Sequence, residues 1–102
     1  MKDSVIQLSR ADFIFTIGYD GPVAVVDGQA KNRYKSLTTA QLAEKGLFRA
    51  AYSSAVFSGD SSEMSLVIEK YNKTAGTSYK DGSSLDRLFG VFPVEVRRAV
   101  IL

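Results

Sequence analysis

Lys31, Arg33 and Lys35 alternate with Ala30, Asn32 and Tyr34 in one short basic segment. On an extended strand, alternate side chains share a face, so these three cations would form a stripe. Cations in a row beside an aromatic ring hold phosphates or carboxylates by charge and offer a ring for stacking. On a helix the same three spread around the cylinder, so conformation decides whether the stripe exists. Arg97 and Arg98, beside an apolar stretch, are a second group able to anchor an acidic partner. Each group also has a plainer role. Lysines on a sheet edge discourage edge-to-edge aggregation, and arginines late in a helix complement its dipole.

Catalytic chemistry has little to work with. The chain has neither histidine nor cysteine, which removes imidazole acid–base catalysis, thiolate nucleophiles and Cys/His zinc sites. An oxygen-only metal site would favour magnesium or calcium, but Asp81-Gly82 with Asp86 lacks the alternating ligands of a calcium loop. Asp20 and Asp27 sit near opposite ends of one expected strand, roughly 20 Å apart at strand rise, too far to cooperate as a carboxylate pair. Asp60 and Glu63 suit the start of a helix, where carboxylates meet the positive end of its dipole. No serine sits in a nucleophile elbow. Gly18 and Gly21 lack the third glycine of a dinucleotide loop, and no Gly-Lys-Ser/Thr occurs. The sequence therefore argues against an enzyme and implies no catalytic residue, cofactor or metal.

Composition sets the frame for these residues. At 102 residues, 45% hydrophobic and 24% charged, the chain is expected to fold as one domain, residues 1–102, with one core. Thirteen Lys and Arg against eleven Asp and Glu leave a formal charge of +2, too even a balance for a dedicated nucleic-acid binder. Residues 1–8 carry a lone lysine and too short an apolar run for a signal peptide, and no run is long enough for a membrane helix. A cytoplasmic protein with no membrane partner is the expectation.

The elements that position the basic segment are predicted from pattern. Residues 5–9 alternate weakly; Phe13, Ile14, Phe15, Thr16 and Ile17 form a strong aromatic and β-branched run. Val23, Ala24, Val25 and Val26 are apolar on both faces, as in a strand covered on both sides or central in its sheet. Between them, Pro22 after Asp20-Gly21 implies a loop of four or five residues, because proline cannot donate across a tight Asp-Gly hairpin. Asp27-Gly28 is the cleaner hairpin signal and makes residues 29–35 a third strand.

Helical patterns occupy the rest of the chain. Thr38 and Gln41 form a capping box ahead of Leu42, Gly46 punctuates, and residues 47–57 are helical up to Gly59. Ala51, Ser54, Ala55 and Ser58 give that helix a small-residue face suited to close approach. Asp60, Glu63 and Gly76 bracket the strongest helix, with Met64, Val67, Ile68, Tyr71 and Ala75 as its buried stripe. A short helix is expected over residues 84–89, stopped by Gly90. Residues 92–102 suit helix or strand, with helix preferred. The segment 39–47 superficially resembles a helix-turn-helix, but Ala43 is three residues before Gly46 rather than four. The following helix carries a single cation, Arg49. Two packed core helices are expected there.

The expected fold is a small α+β domain. An antiparallel β-meander over residues 5–9, 13–18, 23–27 and 29–35 packs against three or four C-terminal helices. One helical layer covers only one sheet face, so the expected function is a non-enzymatic protein–protein interaction or oligomerisation module, with a homodimer as one form. The uncovered sheet face or the small-residue helix face would be the contact. The alternative is a weak nucleic-acid-binding domain using a basic strand face of Lys31, Arg33, Tyr34 and Lys35, joined by Arg97 and Arg98.

Overall fold

The computed structural model describes residues 8–80, 82–89 and 96–102. The fold is α+β, with a three-stranded mixed sheet. The chain divides into two compact units, one formed by Met1–Ser36 with Pro93–Leu102, the other by Leu37–Phe92.

The first unit begins with helix α1 (Arg10–Ile14), where a strand was expected. Ser9 caps it by accepting from the Asp12 N–H, Asp12 supplies a first-turn carboxylate, and the Thr16 hydroxyl donates back to the Asp12 carbonyl. These local bonds outweigh the strand preference of Phe13 and Ile14. The expected strand over residues 5–9 falls partly on residues 5–7, outside the described residues; Ser9 is a helix cap instead.

Strands β1 (Thr16–Asp20) and β2 (Val23–Val26) pair antiparallel, Asp20 opposite Val23 and Thr16 opposite Val26. Only Gly21 and Pro22 lie between the paired ends, so the turn is tighter than Pro22 suggested. The loop is shifted one residue from Asp-Gly. Gly21 takes a positive φ of 58°, as the first central residue of a type II′ turn does, and proline's fixed φ suits the second. The missing proline N–H falls where none is needed. The register shifts between Thr16 and Gly18, leaving Ile17 as the extra residue of a β-bulge.

Asp27-Gly28 does not turn a hairpin. Asp27 caps helix α2 (Gly28–Tyr34), its carboxylate accepting from the Ala30 N–H at 3.1 Å. No third meander strand forms from residues 29–35. The third strand comes from the other end of the chain: β3 (Arg98–Ile101) pairs parallel to β2, so the sheet is mixed and its order is β1-β2-β3. The helix preferred for residues 92–102 is therefore corrected over β3, whose backbone groups β2 satisfies; residues 92–95 lie outside the described residues. The Arg97 N–H donates to the Pro22 carbonyl at 2.8 Å and the Leu102 N–H to Val26 at 3.0 Å, tying down both ends of the strand.

The second unit matches its sequence signals more closely. α3 (Thr39–Glu44) carries the complete Thr38–Gln41 capping box. α4 (Phe48–Ser58) and α5 (Ser61–Ala75) end at Gly59 and Gly76, both left-handed. α6 (Gly82–Phe89) lies over the expected short helix; Gly90, its expected stop, is outside the described residues. α3, α4 and α5 pack on one another, burying Leu42, Ala51, Tyr52, Ala55 and Val67. Along α5, Met64, Ile68 and Tyr71 are half-buried around Val67, and Ala75 is exposed. Tyr71 lies edge-on to both Phe48 and Phe89 with ring centroids 5.3 Å apart.

Asp60 caps α5 with its carboxylate, accepting from the N–H groups of Ser62 and Glu63. Glu63, expected as a helix-start carboxylate, accepts from the Thr39 hydroxyl. The Ser62 hydroxyl, then the two N–H groups, hold the Asp60 carboxyl below its ordinary value of 3.8. A folded-state value lower than the unfolded one adds stability above the unfolded value, and that stability is lost as pH falls. Asp60→Asn keeps a capping oxygen but removes the titration. The melting-temperature advantage of the natural protein over Asp60→Asn is expected to shrink between about pH 5 and about pH 2. A constant difference across that range would refute this role.

Candidate functional site

The basic segment was the first candidate, and its conformation undoes the stripe. Because residues 28–34 are helical, Lys31 and Arg33 lie about 200° apart around α2. Lys31 Nζ lies 2.6 Å from Asp12 Oδ1, linking α2 to α1. That oxygen is buried, and Lys31 is the group that meets it. The Arg33 guanidinium lies 5.9 Å from the Tyr34 ring centroid. Tyr34 itself is half-buried and stacks on Phe15 at 6.5 Å, so one side of its ring is already used. Lys35 is exposed, and its carbonyl accepts from Arg10. The segment is thus chiefly a helix braced against α1.

Lys31 accordingly has a structural role that any binding test must respect. Lys31→Met is expected to cost about 1–2 kcal/mol in urea unfolding, because it strands the Asp12 carboxylate in a partly buried site. Pairing it with Asp12→Asn should recover much of the loss. Additive losses in the double variant would show that the two groups do not interact.

The polar groups buried in the second unit were not legible as a set. Thr39 and Ser54 are buried with hydroxyl oxygens 2.6 Å apart, and Thr39 also donates to Glu63. A hydroxyl has one proton, so Ser54 donates to Thr39 and Thr39 to Glu63. The chain of bonds joins α4, α3 and α5. Ser54 is sealed from solvent, so this arrangement locks helices and offers no accessible nucleophile. Of the small-residue face expected to receive a partner, Ala51, Ser54 and Ala55 are buried as α4 packs with α3 and α5, and Ser58 at the helix end is exposed. That also disposes of a recognition helix. Arg49, its single cation, donates to the Phe89 carbonyl at 2.9 Å.

The sheet is different. Residues paired across strands share a face. One face carries Thr16, Ala24 and Val26, which are 1%, 0% and 0% exposed, flanked by half-buried Tyr19 and Ala99 and by Ile101, exposed at the β3 edge. The other carries two rows: Asp20, Val23 and Arg98, then Gly18, Val25 and Val100. Val23 and Val25 on the central strand are only half-buried, and Val100 is 36% exposed. Ile17, the bulge residue beside Gly18, is 55% exposed. Asp20 and Arg98 are both exposed and flank Val23 on its two sides. Residues 23–26 signalled two apolar faces in the sequence. The partners Arg98 and Val100 were invisible there, because that strand pairing joins segments about 75 residues apart.

Among the described residues, no group of three or more acidic residues is placed to hold a metal. Nor is any helix among them long and apolar enough to cross a membrane. No protein-family model matches this chain, and no curated protein or solved structure is similar to it.

Proposed function

We propose that this chain is a non-enzymatic protein–protein interaction module that binds through the second sheet face of its first unit. The observation that supports this is the contrast between the two faces of the central strand: Ala24 and Val26 are sealed, whereas Val23 and Val25 are only half-buried, with Val100 and Ile17 exposed beside them. A β-branched surface gains by losing water, at about 25 cal/mol per Å² of apolar area. Nucleic-acid binding, the alternative, loses its main support because Lys31 is paired and Arg33 lies on another side of α2.

The reading requires this face to be open in a single copy. In a sample that sedimentation shows to be monomeric, a soluble nitroxide should broaden the methyl resonances of Ile17, Val23, Val25 and Val100. The Val26 methyls serve as the protected reference. If all four resist the probe as Val26 does, the face is covered and the proposal fails.

A further inference from the structure

Resting on that reading, we infer that the partner for the face is a second copy of this chain, stacked about a two-fold axis that runs along β2. The charge layout carries the inference. Asp20 lies at the β1 edge and Arg98 at the β3 edge of the same row, with Val23 between them. They are two strand spacings apart, about 10 Å, and among the described residues no ion pair joins them. A two-fold axis in the plane between two stacked sheets, parallel to β2, places each β1 over the β3 of the other copy within the same row. Each Asp20 then meets Arg98 of the second copy, and the meeting occurs twice. Val23 and Val25 close on their counterparts along the axis, Val23 between the two charge pairs, and each Val100 closes on Gly18 and the Ile17 bulge of the other copy. Aligned sheet packing, with strand directions within about 30°, keeps such rows in reach across three strands. The surface is self-complementary, as an isologous contact requires.

Stacking is favoured over joining edges. β1 is interrupted by its bulge at Ile17, and β3 is preceded and begun by exposed arginines. Both features blunt an edge. The patch is small: three strands of four or five residues span roughly 200 Å² at ordinary strand spacing and rise. A stable interface needs about 800 Å² per partner. The association is therefore weak and concentration-dependent.

The test is sedimentation and methyl chemical-shift titration of the full chain up to about 1 mM, with circular dichroism as a check on folding. The natural protein is expected to dimerise with a Kd on the order of 100 μM. Asp20→Arg and Arg98→Asp, each turning two attractions into repulsions, should weaken it about tenfold. The double variant, which restores opposite charges, should return to within about threefold of the natural Kd. Val100→Glu should abolish association. A chain monomeric at about 1 mM, its face still open to the nitroxide, would overturn the second copy as occupant and leave the interaction surface standing. Dimers that Val100→Glu disrupts but neither charge variant weakens would sink the two-fold arrangement alone. A double variant as weak as either single one would do the same.

Discussion

Tyr52→Ala is expected to unfold the helical unit or bring it close to unfolding. Tyr52 is 1% exposed at the centre of α4, its ring centroid is 5.4 Å from that of Phe89, and its hydroxyl donates to Asp86. Emptying a buried aromatic site costs about 3–5 kcal/mol, since the lost transfer energy is compounded by the cavity. Small domains hold only about 5–15 kcal/mol in all. The removed hydroxyl also leaves the half-buried Asp86 carboxylate without this donor. Tyr52→Phe separates the contributions, keeping the ring and costing about 1–2 kcal/mol for the lost bond. Urea unfolding followed by circular dichroism measures both. A loss below about 1 kcal/mol for the alanine variant would show that the site collapses around the gap.

Gly28→Ala is expected to destabilise the first unit, although glycine to alanine normally favours a helix by about 1 kcal/mol. A Cβ on Gly28 would overlap the Leu102 carbonyl oxygen and lie 2.9 Å from Ile101 Cγ2. The nearer atom is backbone, so the helix start and the strand end must move apart. A loss of about 1–3 kcal/mol is expected, as for overpacking elsewhere. Hydrogen exchange should speed up at the Leu102 amide, which donates to Val26. Gly18→Ala is the control for hydrogen exchange at Leu102, because its added Cβ meets nothing within 4 Å. Loosening β3 also displaces Arg98 and Val100 from the open face, so self-association should fall with exchange protection. Unchanged exchange at Leu102 in Gly28→Ala would mean that the close approach does not hold the strand.

Residues 37–80 were legible because their signals are local. The Thr38–Gln41 box, the Asp60 cap, and Gly59 and Gly76 each act within one turn of a helix, and each appears where its sequence placed it. Residues 10–35 were harder for the same physical reason. Asp27-Gly28 serves equally as a hairpin turn or as a cap and first helical residue, and the conformation of residues 29–35 decides between them. Phe13 to Ile17 has the side chains of a strand, yet Ser9 and Asp12 start a helix just before it. Two short-range rules competed there, and hydrogen bonds to the backbone prevailed over side-chain preference.

The basic segment shows where the division falls. Its residue types, and the absence of histidine and cysteine, are fixed by the sequence alone, and that absence removes imidazole, thiolate and Cys/His zinc chemistry. The apolar character of β2 on both faces and the glycine ends of α4 and α5 are likewise fixed by local sequence. Only the tertiary structure decided that Lys31 meets Asp12, that Arg98 belongs beside Val23, and that Thr39 bonds Ser54 and Glu63. Those pairings join residues far apart in the chain, and the entropy of closing such loops is offset by burial of many groups together rather than by any one residue's preference. A cation's sequence neighbours therefore set its charge density, while the fold alone sets which cations face solvent together.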